Sequence, residues 1–169
     1  MIQVMLDLET MSVSSNAAIA SIGAVKFTEE DGIIDKFYRT VDLRTCKAVG
    51  LHICPNTIDW WSKQSPEARK ALTIDNISLT QALDEFTEWY GDKKIPVWGN
   101  GAGFDNVIME NAYHAIKAPR PWTGFYDRCY RTVKNLITIE PDVRDGTHHN
   151  ALDDAIFQTN HLLKILRSK

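Results

Sequence analysis

Ile2-Gln3-Val4-Met5-Leu6-Asp7-Leu8-Glu9 is the stretch from which the rest of the chain is read. Side chains alternate along a strand, so Ile2, Val4, Leu6 and Leu8 share one face while Met5, Asp7 and Glu9 share the other. The first face is wholly apolar. The second carries two acids at its C-terminal end, where a solvated strand face is the ordinary explanation. Acids are poor strand formers, however, and this segment is otherwise apolar, which marks it as a central strand holding carboxylates for a purpose. Two carboxylates at the end of a buried strand repel each other unless a cation neutralises them.

Working outward, residues 19–27 and 33–41 read as two further strands. Glu30-Asp31-Gly32 between them is a hairpin signal, so the first third is expected to be a three-stranded meander. The pattern then becomes helical. Pro55-Asn56-Thr57 opens a helix carrying Ile58, Trp60 and Trp61, and Ser65-Pro66-Glu67 starts another with proline in its first turn. Ser78 caps a third, whose stripe of Leu79, Ala82, Leu83 and Phe86 ends at Gly91. Residues 95–98 form a short apolar strand. Residues 105–116 are read as a helix burying Val107, Ile108, Ala112, Ala115 and Ile116, and residues 127–137 as another. The last helix spans about 150–166 and turns Ala151, Leu152, Ala155, Ile156, Leu162, Leu163 and Leu166 inward. Strands first and helices afterwards, with a strand among them, describe an α/β fold: a mixed sheet flanked by helices.

With 169 residues, 44% of them hydrophobic and 24% charged, the chain has the balance of one soluble globular domain spanning residues 1–169. Residues 1–8 lack the basic start and apolar run of a signal peptide, and no run is long enough to span a bilayer. The expected location is the cytosol, with no membrane partner. Cys46, Cys54 and Cys129 form no CxxC pair, which argues against structural zinc or a disulfide framework and for reduced, mostly buried thiols. The formal charge is −3 and the pI near 5.9. That argues mildly against nucleic acid and for a small footprint and a short grip, and it leaves a nuclease open because a carboxylate metal site counts as negative until its cations arrive.

Two more acid-bearing segments follow. Asp105 comes after Asn100-Gly101-Ala102-Gly103-Phe104, a loop followed by a helix start, where an aspartate commonly serves as a cap. His149-Asn150-Ala151-Leu152-Asp153-Asp154 enters the last helix, where acids are favoured by the helix dipole. Each piece has an ordinary structural explanation. Together they carry a resemblance. Asp7-Leu8-Glu9-Thr10 resembles a DxET motif, Asn100 to Phe104-Asp105 a second motif with Asn and an aromatic before the acid, and His149 to Asp154 an HxxxxD motif. Their order and spacing, covering nearly the whole chain, are those of the DEDDh 3′–5′ exonucleases, which include ribonuclease T and polymerase proofreading subunits. The segment from Thr57 to Arg69, with Trp60-Trp61 and Gln64, is similar to the phage and prophage branch that includes exonuclease VIII-like proteins and a bacterial exoribonuclease group.

The resemblance implies a ribonuclease H-like three-layer α/β/α domain with a five-stranded mixed sheet, its fifth strand expected near residues 122–126. It also implies two divalent cations, Mg²⁺ or Mn²⁺, held by Asp7, Glu9, Asp105 and Asp154. Hard cations of this kind prefer carboxylate oxygens, and a pair of them roughly 3.5–4 Å apart activates water and relieves charge in phosphodiester hydrolysis. In the family's division of labour Asp7 bridges both ions, Glu9 and Asp154 serve the ion holding the water, and Asp105 supports the other. His149 is the implied general base, since an imidazole titrates near neutrality; spacing to Asp154 selects it over His148. Glu9 and the Thr10 backbone are implied to hold a 3′-OH. Trp60, Trp61 and Phe104 are candidates for stacking on bases, at about 1–3 kcal/mol each, with Asn100 beside them. Adjacent helical residues cannot share a face, so one of the two tryptophans belongs to the core. Arg128 and Arg131, one turn apart, either meet phosphate or form a solvated face. The expected partner is the 3′ end of single-stranded DNA or RNA, and relatives' habits make a homodimer possible. A binding module that has lost catalysis and a phosphoesterase for small nucleotides remain alternatives. No residue announces a contact to the 2′-OH that would choose RNA over DNA.

Overall fold

The computed structural model describes Met1 to Lys169. Its centre is a five-stranded sheet in the order β3-β2-β1-β4-β5. The strands are β1 (Gln3–Thr10), β2 (Ile19–Thr28), β3 (Gly32–Thr40), β4 (Val97–Gly99) and β5 (Asp127–Cys129). β1 to β3 form the expected antiparallel meander, while β4 pairs parallel with β1 and β5 parallel with β4. The acid-bearing strand is therefore the central one of a mixed sheet.

Helices α1 (Leu43–Ala48), α2 (Pro55–Ser62), α3 (Pro66–Ala71) and α4 (Leu79–Tyr90) lie between β3 and β4. α5 (Asp105–Ala115) joins β4 to β5, and α6 (Tyr130–Leu136) and α7 (Ala151–Leu166) complete the chain. Ser65, Ser78 and Asn150 accept the backbone N–H bonds expected of N-caps, from Ala68, Gln81 and Asp153. No helix is long and apolar enough to cross a membrane.

The alternation of β1 separates two apolar layers. Val4, Leu6 and Leu8 join Ile22, Ala24 and Phe37 against Leu83 and Phe86 of α4 and Ile108, Met109 and Ala112 of α5. On the other side Met5, Val25, Phe27 and Trp98 meet Tyr130 of α6 and Ala155, Leu162 and Leu163 of α7. Each fully buried aliphatic or aromatic side chain contributes about 1.5–3 kcal/mol, so the two layers together clamp the sheet. Asp7 and Glu9 lie on the α7 side, beyond Met5, where that layer gives way to the C-terminal edge of the sheet.

Two glycines permit the close approaches that shape this edge. Gly23 is the register partner of Asp7, and a Cβ there would stand 2.2 Å from the carbonyl carbon of Ala151. The first turn of α7 thus rests directly on the β2 backbone. Gly99 similarly makes room for Asn106 and Asp105, at 2.4 and 3.2 Å from a would-be Cβ.

The structure corrects several expectations. The fifth strand is Asp127–Cys129, and residues 124–126 form a 3₁₀ turn instead. The helix expected from residue 127 begins only at Tyr130, so Arg128 sits on a strand and does not share a helix face with Arg131. α5 buries Asn106, Met109 and Tyr113 beside Ile108 and Ala112, leaving Val107, Ala115 and Ile116 half-buried. α7 likewise buries the polar Gln158, Thr159 and His161, while Leu152, Ile156 and Leu166 are half-buried. α1 was not expected at all. Of the three thiols only Cys46 is buried, and all three are free.

Candidate active site

Three separate elements bring acids to the C-terminal end of β1. Strand geometry aims Asp7 and Glu9 from the same face, and both are buried. The ladder to β2 shifts register between Glu9 and Thr10, an irregularity of the kind that re-aims side chains at the end of a strand. Asp105, also buried, is the first residue of α5. Its Oδ1 accepts the Leu8 N–H at 3.1 Å, which ties the start of α5 to the strand between the two acids. Asp154 lies in the first turn of α7, and one turn later Gln158 donates from Nε2 to Asp7 Oδ1 at 2.9 Å. Helical spacing of four places both on one face, so α7 supplies an acid and an amide to the same cleft.

The cleft has a volume of about 460 Å³ and is lined by Asp7, Glu9, Asp105, Asp154, His149 and Asn100, among others. Ligand atoms of Glu9, His149 and Asp154 lie within 4.8 Å of one another. His149 occupies the turn before α7 in a left-handed conformation, φ 60°. Such a backbone costs roughly 1–2 kcal/mol in a non-glycine residue, and such strain clusters at functional sites. The turn is secured by the Thr147 N–H donating to Asp153 Oδ2 at 2.9 Å. The imidazole stands edge-on to Trp60, ring centres 4.8 Å apart, and 6.2 Å from Trp61. His148 also lines the cleft, with its ring 6.4 Å from that of His149.

The acids are held in a costly state. Burial raises the Asp7 carboxyl well above the carboxylate range, aided by the charges of Asp105, Glu9 and Asp154 and opposed by the Gln158 amide. Burial pushes Glu9 up to about 9, with Asp154 adding repulsion. Burial lifts Asp105 to about 7 against the backbone donors at Leu8 and Asn100. Desolvated acids that raise one another in this way need positive charge to ionise together. One source is within the chain: the charge of Arg131 favours the ionised form of Asp105, and the Arg144 guanidinium pairs with Asp154 and donates to the Thr147 carbonyl at 3.0 Å. It lies over the Phe157 ring at 5.1 Å, with its Nε buried and unpartnered. The other source is a cation. All-oxygen donors, buried and mutually repelling, together with the unpartnered Gln158 Oε1, fit a hard divalent ion better than a soft one.

Beside the cleft, and sharing Leu8, Glu9 and Phe104 with it, lies a more apolar bay of about 440 Å³. Trp60, Trp61, Thr10 and Thr57 line it. The tryptophans divide as helix geometry requires. Trp61 is buried and its indole N–H donates to the Thr10 carbonyl at 3.0 Å, whereas Trp60 is 42% exposed at the mouth. The Thr10 hydroxyl donates to the Ser12 carbonyl at 2.8 Å. Asn100 faces the cleft with a buried, unpartnered Oδ1, while its carbonyl accepts from Arg131.

Every acid and the histidine singled out in the sequence therefore reach one cleft. Gln158 and Arg144 were not singled out. Gln158 carried a signal, its place one turn after Asp154, but an apolar-stripe reading passes over a buried amide. Arg144 carried none, because it arrives from an irregular loop. Arg128 does not reach the cleft; its guanidinium donates to the carbonyls of Phe125 and Asp127 at 2.9 Å.

Known proteins resemble this chain over most of its length. Residues 2–166 match the 3′–5′ exoribonuclease Rv2179c-like domain. An exodeoxyribonuclease of Enterobacteria phage T4 is 27% identical over 132 residues, covering 69% of this chain and 58% of that protein. The chain thus spans somewhat more than half the length of that relative. Among solved structures, the nuclease domain of 3′hExo, a DEDDh family member bound to rAMP, superposes with a TM-score of 0.68 at 12% identity. That match covers 99% of this chain and 92% of that domain. Exonuclease I from Methylocaldum szegediense gives 0.69 at 12% identity, over 99% of this chain and 40% of that one. Exonuclease I of E. coli in complex with a dT13 oligonucleotide gives 0.65 at 14%, over 99% and 41%. At these identities the structural matches establish the fold.

Proposed function

Since the chain belongs to the 3′–5′ exoribonuclease Rv2179c-like family of DEDDh exonucleases, we propose that it shortens single-stranded DNA or RNA from the 3′ end. The product of each cycle is one nucleoside 5′-monophosphate. The observation that carries this reading is the convergence of Asp7, Glu9, Asp105, Asp154 and His149 in one cleft beside an aromatic bay. Catalysis in this family is metal-dependent. Here Asp7, Glu9, Asp105 and Asp154 would hold two Mg²⁺ or Mn²⁺ ions. Bound there, the ions supply a more acidic water and neutralise charge on the phosphate.

His149 takes the proton from the attacking water as its oxygen bonds to the phosphorus of the last nucleotide. The bond from phosphorus to the 3′-oxygen of the preceding nucleotide breaks, that oxygen takes a proton from solvent water to become the new 3′ end, and His149 returns its proton to solvent before the next cycle. Trp60, packed against His149, keeps the imidazole oriented. Gln158 orients Asp7 from behind through its 2.9 Å bond. The terminal base enters the bay between Trp60 and Phe104, with the Glu9 carboxylate and the Thr10 backbone near its 3′-OH and Asn100 flanking the phosphate. Trp61 builds that bay from within by fixing the Thr10 carbonyl. The acids and the base all come from one chain, so this reading needs no second copy.

The test is hydrolysis of end-labelled DNA and RNA oligomers of graded length with Mg²⁺, Mn²⁺ or EDTA. The expected result is a metal-dependent ladder shortening from the 3′ end, lost in Asp7→Ala and Asp154→Ala. His149→Ala should lose about 10²–10⁴-fold in kcat. Full rate in the His149→Ala protein would remove that residue from the role of base, and cleavage confined to dinucleotides would favour a small-nucleotide phosphoesterase.

A further inference from the structure

One wall of the cleft carries the acids; another is formed by α6, which presents Arg131 and Lys134 one turn apart. Neither takes part in an ion pair, although acids outnumber Lys and Arg by 22 to 19 in this chain. Both are anchored by neutral groups instead. Arg131 donates from Nη2 to the Asn100 carbonyl at 2.7 Å. Its guanidinium lies against Gly101, where a Cβ would stand 3.1 Å from Cζ and the backbone is left-handed at φ +97°. Gly101 thus provides a flat seat that no other residue would leave open. Lys134 Nζ stands 5.0 Å from the centre of the Tyr130 ring, and that ring is fixed by a 2.7 Å hydrogen bond to the buried His161. Partial burial and the charge of Arg131 make the Lys134 ammonium less favourable than in water. Arg131 is near enough to Asp105 to favour its ionised form, yet neither cation is engaged in an ion pair, and two held cations at the rim of a phosphodiester-cleaving cleft are suited to bind an anion.

The layout gives that anion a place. The aromatic bay adjoins the acids at Leu8, Glu9 and Phe104, whereas Arg131 and Lys134 line only the cleft and not the bay. A strand whose last base fills the bay sends its preceding backbone along the remaining wall. We propose that Arg131 and Lys134 form an upstream phosphate subsite that holds the nucleic-acid backbone on the 5′ side of the scissile bond. The subsite rests on the exonuclease reading and makes the enzyme prefer substrates with more than one phosphodiester.

The experiment compares wild type, Arg131→Ala, Lys134→Ala, the double variant and Arg131→Lys on two substrates. The p-nitrophenyl ester of thymidine 5′-monophosphate has no upstream phosphodiester; a decanucleotide has several. For the double variant the loss in kcat/KM on the decamer should exceed the loss on the ester at least tenfold, mostly through KM. Arg131→Lys should recover part of it. Binding of a 5′-fluorescein decamer with Ca²⁺ in place of Mg²⁺ should weaken at least tenfold. Its logarithmic salt slope should fall by about 0.7 for each phosphate contact removed. Equal losses on ester and decamer would overturn the subsite, by showing that α6 acts only through the loop bearing Asn100. Unchanged decamer binding and salt slope would overturn it too. A wild-type protein inert on both substrates would instead count against the exonuclease reading, and the binding measurement would still decide the subsite.

Discussion

Replacing Gly23 by alanine tests the docking on which the cleft depends. Gly23 lies opposite Asp7 on β2, and the added Cβ would meet Ala151 C at 2.2 Å, Leu152 N at 2.3 Å and Ala151 O at 2.4 Å. All three are backbone atoms, so no side chain can rotate away. Ordinary contact begins near 3.4 Å, so the first turn of α7 must retreat by about 1 Å or the β2 backbone must bend. Overpacking of this kind costs about 1–3 kcal/mol, which for a chain of this size lowers Tm by roughly 2–12 °C. Displacement has the larger effect on rate. Asp154 and Gln158 ride on the moved helix while Asp7 and Glu9 stay on the sheet, and a misplacement of about 1 Å at such a centre costs on the order of 10²-fold. Decamer hydrolysis and differential scanning calorimetry measure both, with Gly103→Ala, whose Cβ meets nothing within 4 Å, as the stability control. A Gly23→Ala protein with kcat/KM within threefold of wild type and an unchanged Tm would refute the view that contact of α7 with the β2 backbone sets the spacing of the acids.

Other perturbations follow from the electrostatics and the aromatic bay. Burial and Asp154 hold Glu9 at about 9 in the folded protein, above its ordinary 4.5, so between those values the native state binds more protons than the unfolded chain. Metal-free stability should therefore fall as pH rises from 5 to 9 in EDTA, and saturating Mn²⁺ should flatten that decline; an EDTA melting curve whose Tm climbs across the range would contradict it. Arg144→Ala removes the charge paired with Asp154. It should lower the Tm of the metal-free protein yet tighten Mn²⁺ binding by roughly tenfold, about 1.4 kcal/mol, by calorimetric titration; weaker Mn²⁺ binding would show that the guanidinium does not compete with the ion. Trp61→Ala should cost about 3–5 kcal/mol in urea unfolding, whereas Trp60→Ala should leave stability within about 1 kcal/mol and reduce decamer turnover. Equal destabilisation would mean that the two rings do not divide between core and bay.

The alternation of Ile2 to Glu9 sufficed to place a central strand with acids on one face, because period two is visible wherever one face is apolar. The Ser78 cap and the first-turn prolines Pro55 and Pro66 located three helix starts for the same local reason. Legibility ended where the determining partner is remote. β5 is only three residues long and exists because Asp127–Cys129 pairs with β4. α1 has a single buried residue, Cys46, so it shows no stripe. The buried polar residues of α5 and α7 are satisfied across the fold: Asn106 donates to Val97 O and Asp127, and His161 contacts Tyr130 and Ile139. Nothing in the local pattern of those helices specifies such partners. In the cleft, acids were legible because their motifs are short and ordered, whereas Arg144 enters from an irregular loop, and the seat that holds Arg131 is a glycine thirty residues earlier.

The bond between Gln158 and Asp7 spans 151 positions, and Asp154 lies on that same helix. Because ribosomes build from the amino end, a nascent chain displays β1, the meander and α5 long before α7 can dock. During that interval Asp7, Glu9 and Asp105 lack Asp154 and His149, so the growing polypeptide carries only part of the set that lines the cleft. The cleft is completed as a late event of folding, and severing the loop between α6 and α7 would leave two pieces, neither of which carries all of its acids.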